Sequence, residues 1–187
     1  MRLSLNFKIA LLFLFIFQII NLKAQTVTLN IAIHQGDVNK VRSLLNNGYS
    51  IHKADRNGNI PINVATYKNN KEILRLLIDY GANIDQKDNK GNFPLFLAGI
   101  QNDAELVRFL IEQGANVDNI NNNGRTALMS AILTNNDNCL DVIKIFVTNG
   151  ADVNIQDNYN RTALDYSQNK VVISYLKNNG AMFGYEL

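Results

Sequence analysis

Two histidines, one cysteine and a scatter of carboxylates are the residues in this chain with the means to do chemistry. His34 and His52 could hold zinc or act as bases, but neither has Cys, Asp or Glu at a spacing typical of zinc ligation. Cys139 would need a base beside it to act as a nucleophile, and both histidines are far away in sequence. Near a helix start its thiol pKa would fall, and an exposed thiol could pair with another molecule. The competing reading is a small, partly buried apolar residue. Asp103 with Glu105, and Asp137 with Asp141, read as helix-start and solvated-face charges. No glycine-rich phosphate loop is present. The residues therefore predict no catalytic, cofactor or metal site, and the chemistry left is recognition.

Recognition chemistry recurs along the chain. Basic residues stand in successive polar turns, at Arg56, Lys90, Arg125 and Arg161, among Asn57, Asn59, Asn89, Asn92, Asn122, Asn123 and Asn158, with Tyr67 and Tyr159 nearby. Arg and Tyr are frequent anchors of protein interfaces. A solubilised edge and a stripe facing an acidic partner are both open readings of this series.

These turns belong to a repeat. Gly-Ala-Asx recurs at Gly81, Gly114 and Gly150, and Gly58, Gly91 and Gly124 keep the same rhythm. The step from Gly81 to Gly114 is 33 residues. A period of that size predicts a stacked array in which each unit touches only its neighbours. From Asp55 to Lys87 the order is a turn, Pro61 opening a short helix with Ile62, Val64 and Ala65 on one side, a break at Asn69-Asn70, then a second helix. Ile73, Leu74, Leu76, Leu77 and Ile78 form its apolar stripe, and Gly81 follows as a left-handed cap. Asp55, Asp85, Asp88, Asp118, Asp152 and Asp157 are expected to brace turns through side-chain hydrogen bonds, not to bind calcium.

This unit resembles the ankyrin repeat. Gly58, Pro61, Ala65, Leu76, Leu77, Gly81 and Ala82 match in one unit, and Asp88, Gly91, Pro94, Leu95, Ala98, Leu110, Gly114 and Ala115 in the next. Gly124, Thr126, Leu128, Ala131, Gly150, Ala151, Asp152, Val153 and Asn154 match in the one after. The resemblance implies an all-α ankyrin-repeat solenoid of helix–loop–helix units with β-turn fingers. It also implies a concave binding face made of finger tips and inner helices. Carried over, that face holds Arg56, Asn57, Asn59, Tyr67, Asn89, Lys90, Asn92, Asn122, Asn123, Arg125, Asn158, Tyr159 and Arg161. The units fall at about 25–54, 55–87, 88–120, 121–156 and 157–187.

Departures from the family pattern carry expectations of their own. Ile60 and Phe93 stand where a hydroxyl would cap the first helix, a loss of ~1 kcal/mol each. Thr126 and Thr162 keep the hydroxyl. The family histidine of this helix is replaced by Asn63, Phe96, Met129 and Asp165, which puts its links between repeats in doubt. From Gly114 to Gly150 is 36 residues, and the extra length falls at Asn135-Asn136-Asp137-Asn138. It reads as a tolerated surface insertion or a protruding contact loop.

The first residues differ from the array. Arg2 and Lys8 flank an apolar run from Ile9 to Ile20, and the small Ala24 precedes Gln25. This is the pattern of a secretory signal peptide over 1–24, too short to span a bilayer, which needs ~20 apolar residues. An uncleaved signal anchor is the alternative. Cleavage would lower the 18 basic residues to 15 against 16 acidic, turning +2 into −1. That balance does not call for nucleic acid or an anionic membrane. No stable membrane insertion is expected after cleavage, and the product is expected to be a monomer.

The sequence thus predicts an exported, periplasmic or secreted, non-catalytic scaffold that binds another protein, with an acidic surface on that partner as one open reading. An effector, an immunity-type inhibitor and, more remotely, a hydrolytic enzyme are the rival readings. End-to-end stacking through Met182-Phe183-Gly184-Tyr185 is a structural alternative.

Overall fold

The computed structural model describes residues 29–134 and 139–187, with Phe13 alone before them. The predicted export segment, Phe13 apart, and the Asn135–Asn138 insertion lie outside the described residues.

Helical pairs follow one another along the chain. Helix α1 covers residues 29–35 and α2 Val38–Asn46; α3 (Pro61–Tyr67) pairs with α4 (Lys71–Asp79), and α5 (Pro94–Gln101) with α6 (Ala104–Glu112). Helix α7 (Ala127–Leu133) precedes α8 (Cys139–Thr148), and a 3₁₀ turn at Leu164–Tyr166 precedes α9 (Lys170–Asn178). A last 3₁₀ turn spans Gly184–Glu186. Inner helices pack on inner helices, α3 on α5 and α5 on α7, while outer ones pack on outer ones, α2 on α4 and α6 on α8. The architecture is the expected all-α solenoid. Among the described residues its only β feature is an isolated antiparallel bridge between Ile120 and Thr126.

Local chemistry sets these boundaries. Asp37, Asn70, Asp103 and Asn169 cap α2, α4, α6 and α9 by accepting backbone N–H bonds, each worth ~1 kcal/mol. Asn69 and Asn102 take a left-handed conformation just before two of those caps, which turns the chain sharply from inner to outer helix. The outer helices then end at left-handed Gly48, Gly81, Gly114, Gly150 and Gly180.

The core runs through every unit. Phe93, Phe146, Ile62, Ile73, Leu74, Leu95, Leu106 and Leu128 are among its fully buried side chains. Phe93 and Ile60 correct an expectation here. Neither makes a side-chain cap, as foreseen, but Ile60 is 3% exposed and Phe93 0%. Phe93 also packs against Phe96, ring centroids 5.7 Å apart. Burial of these side chains is worth roughly 1.5–3 kcal/mol each, more than the missing hydroxyl. Thr126 does cap α7, accepting from the Met129 amide at 3.2 Å. Thr162 does not cap a helix. Its hydroxyl reaches the Met182 carbonyl at 2.7 Å, and its amide donates to Asp165 at 2.8 Å.

Asparagine replaces the family histidine as a link between units. Asn30 Nδ2 donates to the Asn59 carbonyl at 3.1 Å, and Asn63 Nδ2 to the Asn92 carbonyl at 2.9 Å. The expected loss of these links is thus corrected for the first units. Phe96 and Met129, at the next two equivalent positions, are buried apolar residues. There the units approach by another means. A Cβ on Gly99 of α5 would lie 2.6 Å from the Ala127 carbonyl oxygen and would also overlap Ser130 Oγ of α7. Ser130 Oγ lies within hydrogen-bond reach of both the Ala127 carbonyl at 2.7 Å and the Phe96 carbonyl of α5 at 3.0 Å.

Two aspartates also do something other than brace their own turns. Asp85 accepts from the Asn116 amide at 3.1 Å and Asp118 from the Asp152 amide at 2.8 Å. Asn154 continues the series to the Met182 amide at 2.8 Å. These bonds tie each unit's exit to the next.

Candidate partner-binding face

Each finger is built on one side chain. Asp55 Oδ1 accepts from the amides of Asn57 at 2.8 Å and Asn59 at 3.0 Å. Asp88 does the same for Lys90 and Asn92, Asn121 for Asn123 and Arg125, and Asp157 for Tyr159 and Arg161. The fourth residue of each turn needs a positive φ, supplied by Gly58, Gly91 and Gly124 and, in the last finger, by Asn160 at 57°. A two-bond side-chain clamp and a left-handed residue fix the tip without a long core behind it.

The fingers then stack. A Cβ on Gly58 would meet the Asn89 side chain, one on Gly91 the backbone of Asn122 at 2.6 Å, and one on Gly124 the backbone of Asn158 at 2.9 Å. Asn158 also donates from its amide to the Asn123 carbonyl at 3.0 Å and from Nδ2 to the Asn122 carbonyl at 3.1 Å. Asn89, Asn122 and Asn158 therefore sit between fingers, as spacers of the row.

Between the first fingers and the inner helices lies a groove of about 630 Å³. Of the residues predicted for the face, it gathers Arg56, Asn57, Asn59, Tyr67, Lys90 and Asn92. Its floor adds Ile31, Val64 and Leu97, with His34 and the linking Asn30 and Asn63. Ile31, Val64, Leu97 and His34 are not among the residues expected for the face. The repeat itself carries the clue: Ile31, Val64 and Leu97 are successive equivalents, and so are His34, Tyr67 and Ile100. Tyr67, which also lines the groove, is 68% exposed.

The basic series divides in two. Arg56 and Lys90 are exposed, and among the described residues neither enters an ion pair. Arg125 and Arg161 are half-buried and turn inward. Arg161 Nη2 binds Asp157 Oδ2 at 3.0 Å and lies over the rings of Tyr159 and Tyr166. Arg125 Nε donates to the Tyr166 hydroxyl at 3.1 Å and lies 3.8 Å from Asp157 Oδ2. The reason is positional. Arg125 and Arg161 are fifth in their turns, where Asn59 and Asn92 fold back toward the aspartate that opens the turn. The turn of Arg125 opens with neutral Asn121, so its charge turns to Asp157 of the next finger. These two arginines are not free tips, which corrects the picture of one basic stripe.

Asp157 is the charge centre of that cluster. Its side chain is fully buried. Burial pushes its pKa up, but hydrogen bonds from the Tyr166 hydroxyl, the Arg161 guanidinium and the Arg161 and Tyr159 amides outweigh this and hold it down at about 2. Tyr166 is raised, by burial first and then by its bond to that carboxylate. In the groove, burial of Asp55 is likewise outweighed by bonds from the Asn59 and Asn57 amides and the Asn30 side chain, so its pKa is lowered.

The other chemical candidates lie apart from the groove. Cys139 is 4% exposed at the start of α8, as the reading of a small buried apolar residue expects. His52 pairs with Gln86, its Nδ1 3.1 Å from Gln86 Oε1. Among the described residues no three His, Cys, Asp or Glu side chains converge to hold a metal. No helix there is long and apolar enough to cross a membrane.

The family model for ankyrin repeats, three copies long, matches residues 11–89, 29–121, 82–157 and 100–184 in overlapping registers. The chain belongs to the ankyrin-repeat family. Ankyrin repeats are generally protein-interaction modules. No curated protein matches the chain. Within this ankyrin array, the finger clamps, the stacked glycines and the groove supply a preformed surface.

Proposed function

We propose that this ankyrin-repeat protein is an exported, non-catalytic scaffold that captures a partner protein in the groove beneath its first fingers. The observation that carries the reading is the groove itself. The apolar side chains of Ile31, Val64 and Leu97 line it together with Tyr67, and so do the exposed cations Arg56 and Lys90. The carboxylates of Asp55 and Asp88 are engaged by the turn amides, which leaves the cations as the outward charges. A partner segment with an apolar anchor between acidic residues fits this arrangement. Action by occupancy follows: the partner is masked, positioned or held.

Export rests on the basic, apolar and small-residue pattern of 1–24. Mass spectrometry of the product from the native host is expected to give Gln25, or its cyclised form, as first residue; Met1 on the mature product would contradict export by cleavage.

A photo-reactive amino acid at Tyr67 tests the capture. The reading expects a discrete crosslinked adduct in the native exported fraction, lost when Arg56 and Lys90 are changed to Glu. Crosslinking only from the outer helix position Arg108 would contradict it.

A further inference from the structure

The outer helices carry a second surface, legible only by comparing units. In the units of α4 and α6, the outer faces are bridged by charge. Lys71 at the start of α4 pairs with Glu105 of α6 at 2.8 Å, and Arg75 lies over the Phe109 ring at 5.0 Å. The equivalent positions in α8 and α9 are Leu140, Val171, Lys144 and Tyr175, following the Gly-to-Gly register of the repeat. So the ion pair is replaced by two aliphatic side chains. Glu72, Glu105 and Asp141 occupy the position that becomes Val171 in the last unit. Val171 is 60% exposed there.

This exchange leaves a shallow groove of about 500 Å³, lined by Leu140, Val171 and Tyr175 together with Lys144, Lys170 and Ser174. Among the described residues no carboxylate lines it. Asp141, one turn away, lies 3.7 Å from Lys144 and offsets part of its charge, while Lys170 is exposed at the other side. An apolar strip between two lysine stems is complementary to an aliphatic side chain flanked by carboxylates.

We infer that the outer groove between α8 and α9 is a second docking surface, occupied by an acid-flanked aliphatic segment of another protein. It stands on the opposite helical layer from the finger groove, so a partner held by the fingers leaves it open. The array would then join two proteins.

The test uses the whole mature chain and two fluorescent synthetic peptides, each with a leucine pair, one flanked by glutamates and the other by lysines. Anisotropy is expected to rise with the glutamate peptide alone. Val171→Glu restores the acid found at this position in α4, α6 and α8 and is expected to weaken that binding roughly tenfold or more. Lys170→Glu is expected to weaken it too, with an effect that shrinks as salt rises, while Arg108→Glu on α6 leaves it unchanged. Because Val171 and Lys170 are exposed, unchanged circular dichroism melts are expected for both variants. Equal binding of the lysine peptide, no binding of either, or indifference to both Val171→Glu and Lys170→Glu would overturn the inference. So would a dimer in sedimentation that Val171→Glu dissociates, since the occupant would then be a second copy.

Discussion

Asn63 donates its side-chain N–H to the Asn92 carbonyl at 2.9 Å, and so fastens an inner helix to the neighbouring finger. Asn63 is 4% exposed, and its Oδ1 is buried without a hydrogen-bond partner among the described residues. The bond therefore stabilises the junction while the idle oxygen costs part of the gain.

Replacement of Asn63 by Ala removes both terms, while the Asn92 carbonyl keeps its other bond, from the Asp88 amide at 2.8 Å. A net loss of about 1 kcal/mol is expected from urea denaturation, with an unchanged slope. A loss confined to noise would show that the junction does not depend on this bond.

Restoring the family threonine at Phe93 is expected to destabilise, not stabilise. A new cap is worth ~1 kcal/mol, whereas emptying a fully buried phenylalanine site costs about 3–5 kcal/mol. Phe93→Thr should lower the thermal midpoint by many degrees, and Ile60→Thr by less. A higher midpoint for either would contradict the packing described for these side chains.

Gly99→Ala tests the close approach of α5 and α7. Helix propensity alone favours Ala by about 1 kcal/mol. The new methyl would fall 2.6 Å from the Ala127 carbonyl oxygen, which is backbone and cannot swing aside. A net loss of about 1–3 kcal/mol is expected in calorimetry. A gain would mean that the helices are further apart.

Asp157 sets an acid limit on the last fingers. Its folded pKa, about 2, lies below the ordinary 3.8, so its stabilisation is fully present above pH 4 and is lost as pH falls toward 2. The shift corresponds to roughly 2 kcal/mol. Asp157→Asn should remove that part of the acid dependence and destabilise at neutral pH. An unchanged pH profile between 4 and 2 would contradict the cluster.

Much of this structure is legible in the residues. The helix pairs follow from the apolar stripes and from Gly81, Gly114 and Gly150, because local periodicity and left-handed caps depend on few neighbours. The finger clamps at Asp55, Asp88 and Asp157 were legible for the same reason. What depends on the neighbouring unit was not. Arg125 and Arg161 look like tips in sequence, and only stacking brings both to Asp157. Asp85 and Asp118 look like turn braces, and only the next unit's amides reveal them as links. Phe93 looks like a failed cap, and its value lies in the core behind it. The groove floor lay hidden in plain order, since Ile31, Val64 and Leu97 differ in type while sharing one position.

On the proposed function, the first fingers, not the last, hold the partner. The direct measurement is the affinity of the partner captured at Tyr67 for the protein with Arg56→Glu and Lys90→Glu, by calorimetric titration at two salt concentrations. The account predicts at least a roughly tenfold loss at low salt, shrinking at high salt, with the thermal midpoint of the fold unchanged. Full affinity in that variant would contradict it.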